Sequence, residues 1–210
     1  MSNSCFNVLQ TTVHLELCKI DHWLRANKLS LNYNKTNSML LTSWKHNRAS
    51  FKVTINNHNI STEDNLKYLG VFLDNKLSWK PHVHKVKTQL SRAFGILSKL
   101  KHDTTPAVLK VVYNSLINTY LNYSILNWGR ASNATIQPLI TLQNKAIKRI
   151  NPINMGSLEK HFQHLNISCL PKLYSFSVGK FMHSYITNCF QIILMNILFH
   201  SAQFIITPQD

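Results

Sequence analysis

The N-terminal third of the chain combines one helical pattern with several short β-like runs. From about Asn7 to Ala26, apolar residues recur at the three-to-four-residue spacing of an amphipathic helix. The β-like runs that follow are Ser38–Thr42, Phe51–Ile55, His58–Ser61 and Tyr68–Leu73. Asn56-Asn57, between the second and third runs, predicts a tight turn, because Asn tolerates positive φ better than most residues. The pattern predicts a small antiparallel sheet with strands of four to six residues.

After Asp74 the pattern becomes helical. The predicted helices are Trp79–Leu100, a second from Thr105-Pro106 to about Leu121, a third over Ala134–Ile150 and a fourth after Pro171. The fold class is therefore α+β, with a short antiparallel sheet followed by a helical bundle. The predicted divisions are residues 1–78, 79–150 and a C-terminal helical extension, 151–210, with an apolar tail.

Composition adds a charge signal to this architecture. The 210 residues are 44% hydrophobic, which argues against intrinsic disorder, and carry a formal net charge of +15. Such an excess favours a polyanionic partner, with nucleic acid ahead of a membrane surface. The four cysteines form no C-x-x-C pair, which argues against a zinc knuckle or a disulfide scaffold and favours reduced thiols inside the cell.

No segment reads as a targeting or membrane element. The N-terminus lacks a basic start followed by an unbroken apolar run, so it does not resemble a secretory signal. The most apolar stretch, Tyr185–Ile206, is interrupted by five Asn, Gln or His residues, and a membrane helix tolerates few such breaks. We expect an intracellular protein without a membrane partner, and the sequence does not decide between nucleus and cytoplasm.

The helix predicted at Trp79–Leu100 carries a row of cations. Lys85, Arg92 and Lys99 are spaced by seven, so they line one stripe opposite the apolar face. Further lysines flank the stripe, and no acidic residue occurs between Asp74 and Asp103. The face is either merely solvated or a contact for nucleic-acid phosphates, and the absence of opposite charge favours the second. The candidate backbone-contacting residues are Lys80, Lys85, Lys87, Arg92 and Lys99.

Signals for catalysis are weak. Glu63-Asp64 is the sole adjacent acidic pair, in a turn-like stretch where two neighbours do not chelate a metal alone. The close histidine pairs, His82 with His84 and His161 with His164, lack the third and fourth ligands of a zinc site. Gly-rich phosphate loops and G-x-S-x-G motifs do not occur. These patterns predict no metal site.

Three stretches in order resemble the reverse transcriptases of non-LTR (LINE-like, jockey-type) retrotransposons. The first is WLRANKLSLNYNKTNSM at 23–39, and the second is KYLGVFLDNKLSWKPH at 67–82. The third combines YNSLI at 113–117, Tyr123, Trp128-Gly129, LQNKA at 142–146 and Arg149-Ile150. A looser match, F-x-x-L-x-I-x-x-L, begins at Phe162. The resemblance covers about Leu15 to Ile150.

The resemblance implies a role for each region. Residues 1–78 correspond to the end of a polymerase palm, and residues 79–150 to a thumb that holds the template–primer duplex, whether RNA–DNA or DNA. Tyr68, Leu69, Gly70 and Val71 inherit a primer-grip position. The alternative is a half-buried strand in which Gly70 marks a bulge or close backbone approach. Lys35 is a candidate general acid for the leaving pyrophosphate, and the alternative is a lysine that closes a turn.

The family's catalytic element is expected upstream of Leu15. Its aromatic-Ala-Asp-Asp hairpin binds Mg²⁺ in the intact enzyme, whereas Met1–His14 contain no Asp. We therefore expect a truncated RNA-directed DNA polymerase that retains template–primer-binding parts, holds no metal, is inactive alone and has the rest of the polymerase as a potential partner. Two alternatives stay open: a pseudogene product or partial gene model of an active enzyme, and a basic nucleic-acid-binding module.

Overall fold

The computed structural model describes residues 3–41, 51–151, 156–187 and 207–208. These residues form two compact units. The first unit contains the described residues up to Leu77 together with Thr207–Pro208, and the second contains those from Ser78 to Thr187. The predicted boundary near residue 78 lies beside this division, while the second unit continues across the predicted boundary at 150. The three-part domain organisation stays a prediction.

The first unit is built on one helix and a small mixed sheet. Helix α1 (Asn3–Ala26) packs Val13 and Leu17 against apolar residues of β2 and its surroundings. The strands of this sheet are β1 (Thr36–Ser38), β2 (Val53–Ile55), β3 (His58–Thr62) and, at its edge, β6 (Thr207–Pro208). Strands β2 and β3 form an antiparallel hairpin. Its turn residues Asn56 and Asn57 have φ of 49° and 63°, which confirms the predicted turn.

The pairing of β1 differs from the predicted antiparallel arrangement. Strand β1 runs parallel to β3, with Asn37 opposite Ser61. The Ser38 hydroxyl donates to the carbonyl of Ser61 (3.1 Å), and the Ser61 hydroxyl donates to Asn37 Oδ1 (2.7 Å). The sequence Thr-Asn-Ser has no alternating apolar pattern, so nothing in it specifies strand direction.

A separate hairpin completes the first unit. Strands β4 (Asn65–Tyr68) and β5 (Val71–Asp74) pair antiparallel, with Tyr68 opposite Val71. The prediction of one continuous strand over Tyr68–Leu73 is wrong, because the chain reverses at Leu69-Gly70. Both turn residues have positive φ, 46° and 79°, as a two-residue type I′ turn requires.

The second unit is helical, and with the small sheets it confirms the α+β class. Its elements are α2 (Lys80–Leu100), α3 (Pro106–Tyr113), a π-helical segment (Asn114–Asn118), α4 (Thr119–Asn122), α5 (Ile125–Trp128), α6 (Asn133–Ile150), α7 (Leu158–His164) and α8 (Leu170–Ile186). The four predicted helices are present, the second of them continued through the π segment. Helices α5 and α7 were missed, because four and seven residues are too short to show a periodic pattern.

The core of the second unit forms where α2 and α6 pack together. Trp128 is fully buried there, and its indole Nε1 donates to the carbonyl of Tyr123 (2.8 Å). Gly129 lies so close to α8 that a Cβ at this position would be 2.5 Å from a ring carbon of Tyr174. The start of α8 is thereby fixed against the helices that precede it.

Within the described residues, no helix is both long enough and apolar enough to cross a membrane. The apolar stretch Tyr185–Ile206 lies mostly outside the described residues.

Candidate nucleic-acid interface

Helix α2 separates its apolar and cationic residues cleanly. Its buried side chains, His82, Val83, Val86, Leu90, Ala93 and Leu97, face the core of the second unit. Lys85, Arg92 and Lys99 are all exposed and follow one line on the solvent side, with Cα atoms separated by about 10.5 Å along the helix axis. The structure therefore brings these three predicted residues onto one face.

Lys80 and Lys87 are also exposed but form a second line. At about 100° per residue, this line lies about 130° around the helix from the first. The strip between the two lines contains His84, Thr88, Ser91 and Gly95. We call Lys80, Lys85, Lys87, Arg92 and Lys99, with the strip between them, the cationic face. Three of the four residues in this strip are small, so an anionic chain can lie along this part of the helix between two rows of cations.

Helix stability does not explain the cationic face. Lys80 is at the N-terminus, where the helix dipole disfavours a positive charge, and the first turn contains no acidic residue. No salt bridge joins these five cations to a carboxylate within the part of the chain that the structure describes. A solvated helix ordinarily mixes charges at i,i+4 spacing and gains stability from it. The arrangement instead suits a partner that supplies the negative charge.

Charge is concentrated in the same unit. Residues 78–192 contain 14 Lys and Arg but only two acidic residues, Asp103 and Glu159, so this segment carries +12 of the chain's +15. One of the two acids is already paired, because Glu159 accepts a hydrogen bond from Lys172 at 3.4 Å. Sequence reasoning treated the excess as a property of the whole chain. Counting charges by segment would have found the asymmetry.

The predicted primer-grip residues lie at the tip of the β4–β5 hairpin and differ in their exposure to solvent. Tyr68 and Leu69 are 42% and 73% exposed, whereas Val71 turns inward and is 7% exposed. Tyr68 ends β4 and Val71 begins β5, so both lie in strands, whereas Leu69 lies in the turn between them. A primer-grip role for these residues stays a prediction. Gly70 supplies the second positive φ of the turn rather than a bulge. The tip thus presents an aromatic and an aliphatic side chain outward.

Leu69 holds an unfavourable backbone conformation. The left-handed region costs a bulky L-residue about 1–2 kcal/mol, and Asn or Gly normally occupies this position of a type I′ turn. Leu69 also leaves most of its apolar side chain in water. Strain of this kind persists in folded proteins chiefly at functional positions.

Lys35 ends a short 3₁₀ turn, Tyr33–Lys35. Its backbone N–H donates to the carbonyl of Asn32 (3.1 Å) and contacts Asn32 Oδ1 (3.3 Å), while its side chain is exposed. The backbone of Lys35 closes a turn, in agreement with the structural alternative. A catalytic role for its ammonium group stays a prediction.

Three aromatic residues of the second unit, Trp79, Tyr123 and Trp128, differ in their exposure to solvent. Trp128 is a core residue, and Trp79 is half-buried against the same core. Tyr123 is 53% exposed, and its backbone carbonyl accepts the hydrogen bond from Trp128. Of these three residues, only Tyr123 presents its ring to solvent to a degree that allows stacking.

The described carboxylates do not fit the Mg²⁺ ions of a polymerase. Within the described ranges, no group of three or more His, Cys, Asp or Glu side chains converges on one point. Asp64 Oδ1 accepts a hydrogen bond from the Asn75 side chain, and Asp74 lies opposite Asn65 in the hairpin. Two-metal catalysis requires several carboxylates around a shared site. We therefore derive no metal-dependent step from these residues.

Three curated proteins share sequence with this chain. A probable RNA-directed DNA polymerase from transposon X-element of Drosophila melanogaster is 25% identical over 136 residues, which are 63% of this chain and 15% of that protein. A probable RNA-directed DNA polymerase from transposon BS of the same species is 23% identical over 155 residues, 71% of this chain and 17% of that protein. The RNA-directed DNA polymerase from mobile element jockey of Drosophila funebris is 27% identical over 103 residues, 47% and 11% respectively.

The chain is similar to a segment of non-LTR retrotransposon reverse transcriptases. This similarity confirms the resemblance that the three motifs predicted. The chain spans less than a fifth of the length of each of these polymerases. No protein-family model matches the sequence, and no solved structure matches it.

Proposed function

We propose that this reverse-transcriptase-like segment binds the sugar–phosphate backbone of a template–primer duplex through the cationic face of α2. The observation that carries the proposal is the two rows of exposed cations with no acidic partner on the same helix. Cations that neutralise phosphates release condensed counterions, which supplies affinity without sequence selectivity. The named activity of the three similar polymerases makes an RNA–DNA hybrid the first duplex to test.

The hairpin tip is a second contact in this proposal. Tyr68 and Leu69 project an aromatic and an apolar surface at the position where the family resemblance implies a primer grip. Neither side chain carries charge, so the tip would contact sugars or bases rather than phosphates. Loss of Leu69 should therefore weaken duplex binding without changing its salt dependence.

Fluorescence anisotropy of a labelled, blunt RNA–DNA hybrid tests the α2 contact. The slope of log affinity against log salt reports the number of phosphate contacts, at about one unit per lysine or arginine. We expect the triple variant Lys85→Gln, Arg92→Gln, Lys99→Gln to reduce the magnitude of this slope by about 3. Affinity at low salt should fall more than tenfold.

A matched control separates the face from net charge. The variant Lys160→Gln, Lys172→Gln, Lys180→Gln removes the same charge from exposed positions of α7 and α8 in the same unit. It should keep a slope close to that of the parent protein. Equal loss of slope in both variants would refute a localised site, and a parent protein whose affinity does not respond to salt would refute backbone binding altogether.

We also propose that a polypeptide made of these 210 residues alone does not extend a primer. Two observations support this: Met1–His14 contain no Asp, and the described carboxylates do not converge. A primer-extension assay with Mg²⁺ or Mn²⁺ and all four deoxynucleotides tests the proposal. Incorporation of even one nucleotide above the level of a no-protein control would overturn it.

A further inference from the structure

Two aromatic rings are stacked at the surface of the first unit. Tyr33 belongs to the 3₁₀ turn, and His58 is the first residue of β3. Their ring centroids are 4.1 Å apart, and the planes differ by 22°. Tyr33 packs against the apolar core of the unit, while His58 is exposed. One face of the His58 ring therefore stacks on Tyr33, while the residue is exposed to solvent.

Hydrogen bonds hold this pair in place. Asn56 Nδ2 donates to the Tyr33 hydroxyl oxygen (3.1 Å) and to Asp21 Oδ1 (2.6 Å). The other carboxylate oxygen of Asp21 accepts from Arg25 Nε at 2.9 Å. The chain of contacts links α1, the 3₁₀ turn and the β2–β3 turn, so the rings need little reordering to accept a ligand. Preorganisation of this kind lowers the entropic cost of binding.

An open cavity of about 440 Å³ adjoins the rings. It is lined by Ser30, Leu31, Asn32, Tyr33, Asn34 and His58. The Ser and Asn side chains and the loop backbone provide donors and acceptors around the two rings. The volume is within the range of small-ligand sites. A flat ring with polar edges would match both the aromatic wall and the polar rim.

The charge around the cavity favours an anionic ligand. Lys28 and Lys35 are exposed on either side of the lining loop in sequence. Neither forms a salt bridge with a carboxylate within the described part of the chain. The nearby acid in the network, Asp21, is already compensated by Arg25. Two exposed cations thus flank the lining loop in sequence, and the carboxylate of this network is compensated, which favours a ligand that carries a phosphate group.

We propose that the Tyr33–His58 pair is a stacking platform for an unpaired nucleotide, so that the first unit holds single-stranded nucleic acid. His58 stacks on the base, the Asn-rich loop contacts the base edges, and Lys28 and Lys35 contact the phosphates. A base inside a duplex is already stacked on both faces, whereas an unpaired base offers a face to His58. The inference rests on the proposed function in one respect, that the ligand is nucleic acid, and it uses none of the residues of the cationic face.

Quenching of 2-aminopurine fluorescence tests the platform directly, because this base loses emission when it stacks. The probe is a single-stranded oligothymidylate with one central 2-aminopurine. The parent protein should quench it, and His58→Ala should abolish the quenching and weaken affinity about fivefold or more, as expected for the loss of one base–aromatic stack. His58→Phe should restore both signals. His164→Ala, an equivalent change at an exposed histidine of α7, is the matched control and should have no effect.

The arms of this experiment separate the two proposals. On a blunt RNA–DNA hybrid, His58→Ala should bind like the parent, whereas the Lys85, Arg92, Lys99 triple variant should bind weakly. Unchanged quenching by His58→Ala would overturn the platform and leave the α2 interface intact. Loss of binding in both His58→Ala and His58→Phe would also overturn it, since stacking would not then be the cause. A triple variant that binds the hybrid normally would instead refute the proposed function.

Discussion

Gln143 is a buried polar residue on which the stability of the second unit should depend strongly. It lies on α6 and is fully buried. Its Nε2 donates to the Tyr113 hydroxyl (2.9 Å) and to the carbonyl of Ser168 (3.1 Å), and its Oε1 accepts from the N–H of Leu170 (2.8 Å). Burial raises the pKa of Tyr113 to about 12, so this hydroxyl stays protonated at neutral pH. One side chain thus joins three segments of the unit.

Replacing Gln143 by Leu keeps the volume close to that of the amide but removes all three hydrogen bonds. The N–H of Leu170 lies in the first turn of α8, where it has no acceptor within the helix. Removing its acceptor, Gln143 Oε1, therefore costs about 1–3 kcal/mol. The carbonyl of exposed Ser168 can turn to water and costs less. We expect a total loss of about 2–4 kcal/mol in the free energy of unfolding, or about 8–16 °C at about 4 °C per kcal/mol.

Thermal and urea unfolding followed by far-UV circular dichroism measure this loss. The matched control is Gln137→Leu, the same change at an exposed position of α6, which should alter stability by less than about 0.5 kcal/mol. Tyr113→Phe should cost only about 1 kcal/mol, because two of the three hydrogen bonds remain. If Gln143→Leu were no more destabilising than Gln137→Leu, the described network would not contribute to stability and the reasoning would be refuted.

Three further changes test other parts of the structure. Burial lowers the pKa of His82 from its usual 6.5, so the contribution of His82 to stability should be present above pH 6.5 and be lost as the pH decreases below that value. Thermal melts across this range should show the loss, and His82→Phe should reduce it. Gly129→Ala should lower the free energy of unfolding by about 1–3 kcal/mol, because its Cβ would lie 2.5 Å from the Ile125 carbonyl oxygen. Thermal unfolding should show a correspondingly lower melting temperature. Leu69→Asn should stabilise the hairpin by about 1 kcal/mol while weakening duplex affinity in the anisotropy assay.

Local turn chemistry and helical periodicity were predictable because they depend on neighbouring residues. Asn56-Asn57 forms the expected turn, and α2 ends at the expected Leu100. Leu69-Gly70 was not recognised as a turn, since Leu normally avoids positive φ and the run from Tyr68 to Leu73 is almost entirely apolar. The prediction assumed that Leu does not adopt a positive φ, and Leu69 does so here.

Contacts between distant segments were not predictable in the same way. Gln143 is one polar residue among several in α6, and only the packing of α6 against the start of α8 shows that it is buried. The Tyr33–His58 pair likewise joins residues 25 positions apart, and neither residue stood out in the sequence. The stripe of Lys85, Arg92 and Lys99 was predictable from spacing alone, but the same arithmetic applied to Lys80 and Lys87 would have assigned them to a separate row.

The cationic face gives one more measurable consequence, because it places like charges together on one helix. In the protein without nucleic acid, repulsion among these cations and the unfavourable position of Lys80 at the N-terminus of α2 lower stability. Replacing Lys80 by Gln should therefore raise the melting temperature slightly. The phosphates of a bound RNA–DNA hybrid supply the missing negative charge, so the same cations then stabilise the folded protein. At a concentration 100 times its dissociation constant, the hybrid should stabilise the parent protein by about 2.7 kcal/mol. The variant that carries Lys85→Gln, Arg92→Gln and Lys99→Gln should gain little stability from the same hybrid. A hybrid that stabilised both proteins equally would show that binding occurs elsewhere on the chain.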